Sequence, residues 1–244
     1  MILGLGGWVI VALAAGAFLG ATVQGTVGLG LNLVAAPVVA LLAPQLMPVV
    51  PLLWAVVYPI GALVREWREA DWRGLWWAVG GRVPGTVLGV LIVVWATDRF
   101  LGIVVGVMVL MAVLLTWRAV RVPVNRTSIG TAGFIGGVTG TATSIGGPPL
   151  ALVYQHHPGP QIRASLAVYF CLGGVISLIG RGVGGQMTLH DLWAALLLTP
   201  ALLLGHAVAG PLRRRLDAGH TRAAVLVICG TSGAVLLVRN ALGW

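Results

Sequence analysis

The chain of 244 residues contains no lysine, 6 acidic residues and 2 cysteines, and charged side chains make up 9% of it. A soluble domain carries about a quarter charged residues, so the scarcity of charge argues against an ordinary water-facing fold. Cys171 and Cys229 lie in apolar runs without a CxxC or metal-ligand spacing, so they read as small buried hydrophobes. No Asp or Glu lies in an apolar run beyond its first residue, which leaves no carboxylate-based proton or sodium relay in view. The first twenty residues resemble a signal peptide but lack its positive n-region. They read as a retained membrane segment.

What is present is apolar. Hydrophobic residues make up 58% of the chain and mean hydropathy is +0.99, which identifies an integral membrane protein in a lipid bilayer. The net charge of +9 comes from 15 arginines. In a soluble chain that balance would suggest nucleic acid. Here the arginines lie mostly in short loops between apolar runs, where they set orientation, and no nucleic-acid partner is expected.

The apolar runs are 8–24, 32–43, 48–64, 74–96, 100–117, 128–142, 148–155, 162–180, 191–211 and 221–238. Six of them (48–64, 74–96, 100–117, 162–180, 191–211, 221–238) approach the roughly 20 residues a crossing helix needs. Runs 32–43 and 148–155 are too short, and each follows a glycine-rich break. A repeat appears at an offset near 117: Gly16-x-Phe18-x-Gly20-x-Thr22 aligns with Gly133-x-Ile135-x-Gly137-x-Thr139, and Leu75-Trp76 with Leu192-Trp193. Slightly out of phase, Pro84 and Gly89 match Pro200 and Gly205, and Asp98 matches Asp217. The reading is two related halves, 1–122 and 128–244, forming one integrated transmembrane domain.

Arginine placement orients the halves. If 8–43 and 128–155 are re-entrant hairpins, eleven loop arginines (65, 68, 73, 118, 121, 126, 163, 213, 214, 215, 222) fall on one side and three (99, 181, 239) on the other. If the first helix of each half crosses fully, the split is eight against six. Only the first division obeys the positive-inside rule. The expected fold is therefore all-α: two inverted repeats, each a re-entrant helical hairpin plus three transmembrane helices, with both termini outside.

GTVGLGLNLVAAPVVAL, ADWRGLWWAVGGRVPGTVLGV, TGTATSIGGPPLALVYQ and LTPALLLGHAVAG, in that order, resemble the TauE/SafE sulfite-exporter-type permease family from about Gly16 to Leu242. The resemblance implies a bacterial inner-membrane permease moving small sulfur-containing or organic anions such as sulfite or sulfonates; the termini, outside by the arginine division, then lie in the periplasm. One departure stands out. Where the family carries a run of glycines, this chain has Gly28-Leu29-Gly30-Leu31-Asn32, and two leucines narrow or stiffen that tip.

A helix that begins inside a membrane offers free N–H groups and the positive end of its dipole, both of which favour an anion. Transporters place substrates at such ends. Gly146-Gly147-Pro148-Pro149 suits this role, since proline is favoured in a first helical turn. The second arm is expected to start at Pro148 or Pro149. Candidate substrate-binding residues are Gln24, Thr26, Gly28, Gly30 and Asn32 in the first half, and Thr139, Thr141, Thr143, Ser144, Gly146, Gly147 and Pro148 in the second. Hydroxyl donors and the Asn32 amide are the expected ligands. Packing of small residues between helices accounts for any single one of these positions about as well.

Arg82 and His206, inside apolar runs, are candidates for a gate or for ion coupling, with snorkelling and interhelical hydrogen bonding as the plainer alternatives. His156 and His157 have no partners at metal spacing, so no metal and no cofactor is expected. Trp67, Trp72, Trp76 and Trp77 suit an interfacial belt. The rival functions are an intramembrane hydrolase using Ser144 and His206, and an anion channel. TSIGG does not match a GxSxG nucleophile elbow, and duplicated tips favour transport. A homo-oligomer is compatible with the sequence.

Overall fold

The computed structural model describes residues 4–118, 122–215 and 218–242, and every regular element within them is helical. The order is α1 (Gly7–Val27), α2 (Leu31–Leu42), α3 (Val49–Val57), α4 (Ile60–Glu66), α5 (Trp72–Trp95), α6 (Asp98–Arg118), α7 (Arg126–Thr143), α8 (Pro148–Tyr154), α9 (Gly159–Val183), α10 (Leu189–Arg215) and α11 (Ala218–Leu242). Arg121, Asp217 and the side chains of Asp98, Arg118, Arg213, Arg214, Arg215, Arg222 and Cys229 lie outside the described residues. The Asp98–Asp217 match and part of the arginine division rest on them.

Five segments are long and apolar enough to cross a membrane: Gly7–Thr26, Val49–Glu69, Trp72–Trp95, Gly159–Val183 and Leu189–Leu212. Four correspond to runs expected to cross. The described apolar part of α6, Arg99–Leu114, is shorter. The fifth is α1, whose 20 apolar residues suffice for a crossing by length alone, so its path depends on where α2 takes the chain. Run 48–64 is not one straight helix. Pro59 lacks an N–H for the ladder, and the regular helix is interrupted at Tyr58 and Pro59, between α3 and α4.

Local signals start α5 and α10 at equivalent places. Asp71 Oδ1 accepts from Gly74 N at 3.0 Å. Thr188 Oγ1 accepts from Asp191 N at 3.3 Å, while Asp191 Oδ2 accepts from Thr188 N at 2.9 Å, a reciprocal cap. Asp71 and Thr188 stand 117 positions apart, the repeat offset. Each helix then carries an internal proline about a dozen residues on, Pro84 and Pro200.

Lipid supplies little hydrophobic drive between helices, so close backbone approach must hold them together. Helix α5 lies parallel to α7 with Gly81, Gly85 and Gly89 in the seam. A Cβ on Gly85 would strike the Phe134 carbonyl oxygen, and one on Gly133 would strike that of Ala78. In the second seam α1 lies parallel to α10. A Cβ on Gly205 would strike the Phe18 carbonyl, and Thr22 Oγ1 donates to the Gly205 carbonyl at 3.3 Å. A third seam joins α6 to α11.

The chain leaves and returns at opposite ends of the bundle. At the end where α5 begins, the Arg126 guanidinium at the start of α7 lies 5.4 Å from the Trp77 ring. Tyr154, closing α8, donates to Asp71 Oδ2 at 2.8 Å. Thus α7 and α8 start and finish beside the same terminus of α5. At the other end, α1 runs parallel to α10, with Gly205 against Phe18, and α2 runs back along α1, with Leu31 against Gly20 and Val38 against Gly16, so α1 and α2 start and finish beside the start of α10. Exposed tryptophans mark both ends: Trp67, Trp72, Trp76 and Trp77 at one, Trp8, Trp95 and Trp193 at the other.

The seam predicts its own sensitivity. Gly133→Leu is expected to cost more than about 3 kcal/mol by overpacking against rigid backbone. Exposed Gly210→Leu, with nothing within 4 Å of its added Cβ, should leave the thermal unfolding midpoint of the purified protein nearly unchanged.

Candidate functional site

Each hairpin breaks in a backbone conformation that suits its residues. Gly28 has φ 89° and Gly30 φ 142°, the second being a conformation side chains essentially forbid. On the other tip Ser144 takes φ 63°. It is tolerated there because its N–H donates to Gly140 O at 2.9 Å and its Oγ donates to Thr143 O. Helix α8 then starts at Pro148, where the sequence placed it.

The two tips touch. Asn32, 8% exposed, donates through Nδ2 to Ser144 O at 2.9 Å and to Pro51 O at 3.0 Å. One amide therefore ties α2 to the opposite tip and to α3. Leu29 fills the space left by Gly147, where a Cβ would lie 2.6 Å from Leu29 Cδ1 and 2.6 Å from Phe170 Cζ. Gln24 Oε1 accepts from Leu31 N at 3.0 Å, capping α2 across its own break.

Between the tips lies a cavity of about 20 Å³, lined by Gln24, Gly30, Asn32, Ser144, Gly146, Gly147, Pro148 and their apolar neighbours, including Phe170. That is room for about one water. Gln24 and Phe170 also line a vestibule of about 110 Å³, which contains Gly28, Tyr58, Arg65, Glu66, Arg163 and His206. It lies towards the end of the bundle where α5 begins. Arg163 and Glu66 form a two-pronged ion pair in its wall, at 2.7 and 2.9 Å. His206 packs edge-on to Tyr58 at 5.1 Å between ring centres, and its Nδ1 has no hydrogen-bond partner.

Seven of the twelve sequence candidates share the tip cavity, and Gly28 joins Gln24 in the vestibule. The other four do not reach the tip cavity. Thr26 Oγ1 donates to Val23 O, Thr143 Oγ1 to Thr139 O, and Thr139 Oγ1 to Ile135 O. Thr139 lines an apolar cleft of about 490 Å³ between α6, α7 and α8. Thr141 Oγ1 instead meets Ser177 Oγ at 2.8 Å. Most of the hydroxyls seen in the sequence thus bond their own helix, a competition natural to Ser and Thr. The Asn32 N–H groups are likewise engaged, and its free polar atom is the acceptor Oδ1.

Arg82 does not snorkel. It is 2% exposed, lies 4.5 Å over the Tyr169 ring, and reaches Ser177 Oγ at 3.4 Å. Its Nε and Nη1 have no partner. Sequence reasoning missed Arg181, counted there as a loop charge but 3% exposed. The available signal was Ser177 four residues earlier, one turn away on the same face. Phe170 and the Arg163–Glu66 pair were also missed, since no local pattern marks a contact across 97 residues. Among the described residues no group of three metal-ligating side chains occurs.

Two broken helices meeting inside an apolar bundle, with a polar cavity at their junction and a vestibule beside it, define a helical membrane transporter. The chain belongs to the sulfite exporter TauE/SafE family, whose profile matches residues 12–236. No curated protein and no solved structure matched.

The Asn32 bridge can be measured. Asn32→Ala removes two buried hydrogen bonds and leaves the Ser144 carbonyl without its donor, an expected loss of about 2–4 kcal/mol. Thr26→Val should stay within about 0.5 kcal/mol. Hydrogen exchange at 29–34 and 143–148 should rise in the first variant only.

Proposed function

We propose that the protein is a bacterial inner-membrane permease for small sulfur-containing or organic anions, sulfite or a sulfonate among them, working by alternating access. The observation that carries this reading is the meeting of the two tips over one cavity that adjoins a vestibule. Substrate enters the vestibule, the tips separate by breaking the Asn32–Ser144 link, and the anion occupies the space between Gly30, Asn32, Ser144 and Gly146–Pro148. The positive end of α2 and nearby Arg82 supply favourable potential. Arg82 and His206 act as gate or coupling groups, one behind the tip and one in the vestibule wall.

In this reading residues 1–122 and 128–244 are inverted repeats, and α1–α2 and α7–α8 are re-entrant hairpins. Three things support it: each hairpin starts and ends at one end of the bundle, the two use opposite ends, and the seams α1–α10 and α5–α7 are exchanged between halves. Gly89, level with Thr141 just before the second tip, lies roughly 26 Å along the ~36 Å of α5 at 1.5 Å per residue. The tip thus stops short of the far end. The arginine division then puts the vestibule end in the cytoplasm and both termini in the periplasm.

A hydrolase built on Ser144 and His206 has less support. Ser144 Oγ donates to Thr143 O, and His206 lines the vestibule while Ser144 lines the tip cavity. A nucleophile requires its base within hydrogen-bond reach. A channel is disfavoured by the size of the closed tip cavity.

Proteoliposomes should take up labelled sulfite or a sulfonate, and Asn32→Leu or Ser144→Leu should abolish uptake; undiminished uptake in both removes the tips from the pathway. For topology, Glu69→Cys should react with a membrane-impermeant thiol reagent only after the cells are opened, whereas Gly185→Cys should react in intact cells. Reaction of both in intact cells would refute the inverted arrangement.

A further inference from the structure

Behind the α7–α8 tip lies a cluster of buried polar groups that the tip cavity does not include. Arg82 and Thr86 on α5, Thr141 on α7, and Ser177 and Arg181 on α9 are each 3% exposed or less. Thr141 Oγ1 and Ser177 Oγ share a hydrogen bond of 2.8 Å, and Thr86 Oγ1 lies 3.4 Å from Thr141 Oγ1. Both arginines converge on this pair: Arg82 Nη2 reaches Ser177 Oγ at 3.4 Å, and Arg181 Nη1 reaches Thr141 O at 3.5 Å. These contacts are long, and Nε and Nη1 of Arg82 and Nε of Arg181 remain without a partner.

Among the described residues neither guanidinium has an ion-pair partner, in contrast to Arg163, which pairs with Glu66. The Tyr169 ring lies against Arg82. Asp191 acts on Arg181 through space, but its carboxylate bonds Thr188. Two cations in a membrane interior, with donors to spare, are costly unless they serve a ligand of opposite charge.

We propose that Arg82 and Arg181 form a second anion site, which takes a small dianionic oxyanion from the tip cavity. This rests on the permease reading above. The route is short. A Cβ on Gly146, which lines the tip cavity, would lie 3.2 Å from Arg82 Nη1, and one on Gly140 would lie 3.0 Å from Nη2. The glycine backbone at Gly140 and Gly146 thus lies between the guanidinium and the tip cavity without side chains of its own. Arg181 sits two residues before the end of α9, towards the end of the bundle opposite the vestibule, so the two arginines succeed one another along the path. Two cations without a contacting carboxylate favour a dianion over a monoanion, and guanidinium forks match oxyanions. The repeat does not duplicate the site. At the offset of 117 Arg82 is matched by Thr199 and Arg181 by Val64, so only one of the two hairpins is backed by charge.

The test titrates the purified full-length protein with sodium selenate and, at matched ionic strength, sodium nitrate, following thermal unfolding. Selenate should raise the midpoint saturably and nitrate should not. Arg82→Met and Arg181→Met should each raise the half-saturating selenate concentration about tenfold or more, the loss of one charged hydrogen bond. Arg99→Met, which removes an exposed arginine, should leave it within twofold. If either methionine variant fails to fold, Arg82→Lys and Arg181→Lys retain the charge but lose the fork, and the same weakening is expected. In crystals grown with selenate, an anomalous selenium peak should lie between the two guanidiniums. Unchanged titration in both arginine positions, no saturable selenate effect, or a peak confined to the tip cavity overturns the second site. Sulfite uptake accompanied by arginine-independent selenate binding sinks this inference alone. Arginine-dependent binding with no uptake of any anion sinks the permease reading and leaves the site.

Discussion

Backbone-to-backbone contact between glycine-faced helices is the constraint on which the rest of this structure depends. Where α5 meets α7 and α1 meets α10, carbonyl oxygens occupy the space that side chains would fill. In lipid such contacts replace the hydrophobic drive of soluble cores with dispersion and weak Cα–H···O bonds. Because both seams run parallel, each sets how deep its hairpin reaches and which way it faces. The tips come together as a result, and the tip cavity exists only because they do.

The chemistry of the junction is more restrained than a count of its polar residues suggests. Threonine hydroxyls turn back on their own helices, Gln24 caps α2, and both N–H groups of Asn32 hold neighbouring carbonyls. A well-satisfied junction is stable when closed. Any separation of the tips would break the buried Asn32–Ser144 link and cost its hydrogen bond. The leucines of the first tip contribute to this closure, since Leu29 packs into the gap left by Gly147.

Residues 1–122 and 128–244 share recurring sequence features but not their charge. Caps, internal prolines and seam glycines recur at or near the same offset, whereas Arg82 and Arg181 have uncharged counterparts. The two backbone breaks therefore differ in their surroundings: Arg82 lies behind Gly146, whereas Thr199 and Val64 stand at the offset positions of Arg82 and Arg181.

Membrane residence, the break at Gly146–Pro149, the start at Pro148 and the family follow from the sequence alone, because each rests on local composition, backbone preference or a repeated pattern. Asp71 and Thr188 cap helices that the periodicity already marked. Tertiary structure decided the rest. Whether Thr141 faces a cavity or Ser177, whether Arg82 reaches the surface or Tyr169, and whether Arg181 belongs to a loop or a buried cluster depend on which helix lies alongside. That is settled by the seams, through contacts between residues tens to well over a hundred positions apart. The sequence determined where the helices break; packing determined which polar atoms those breaks leave free.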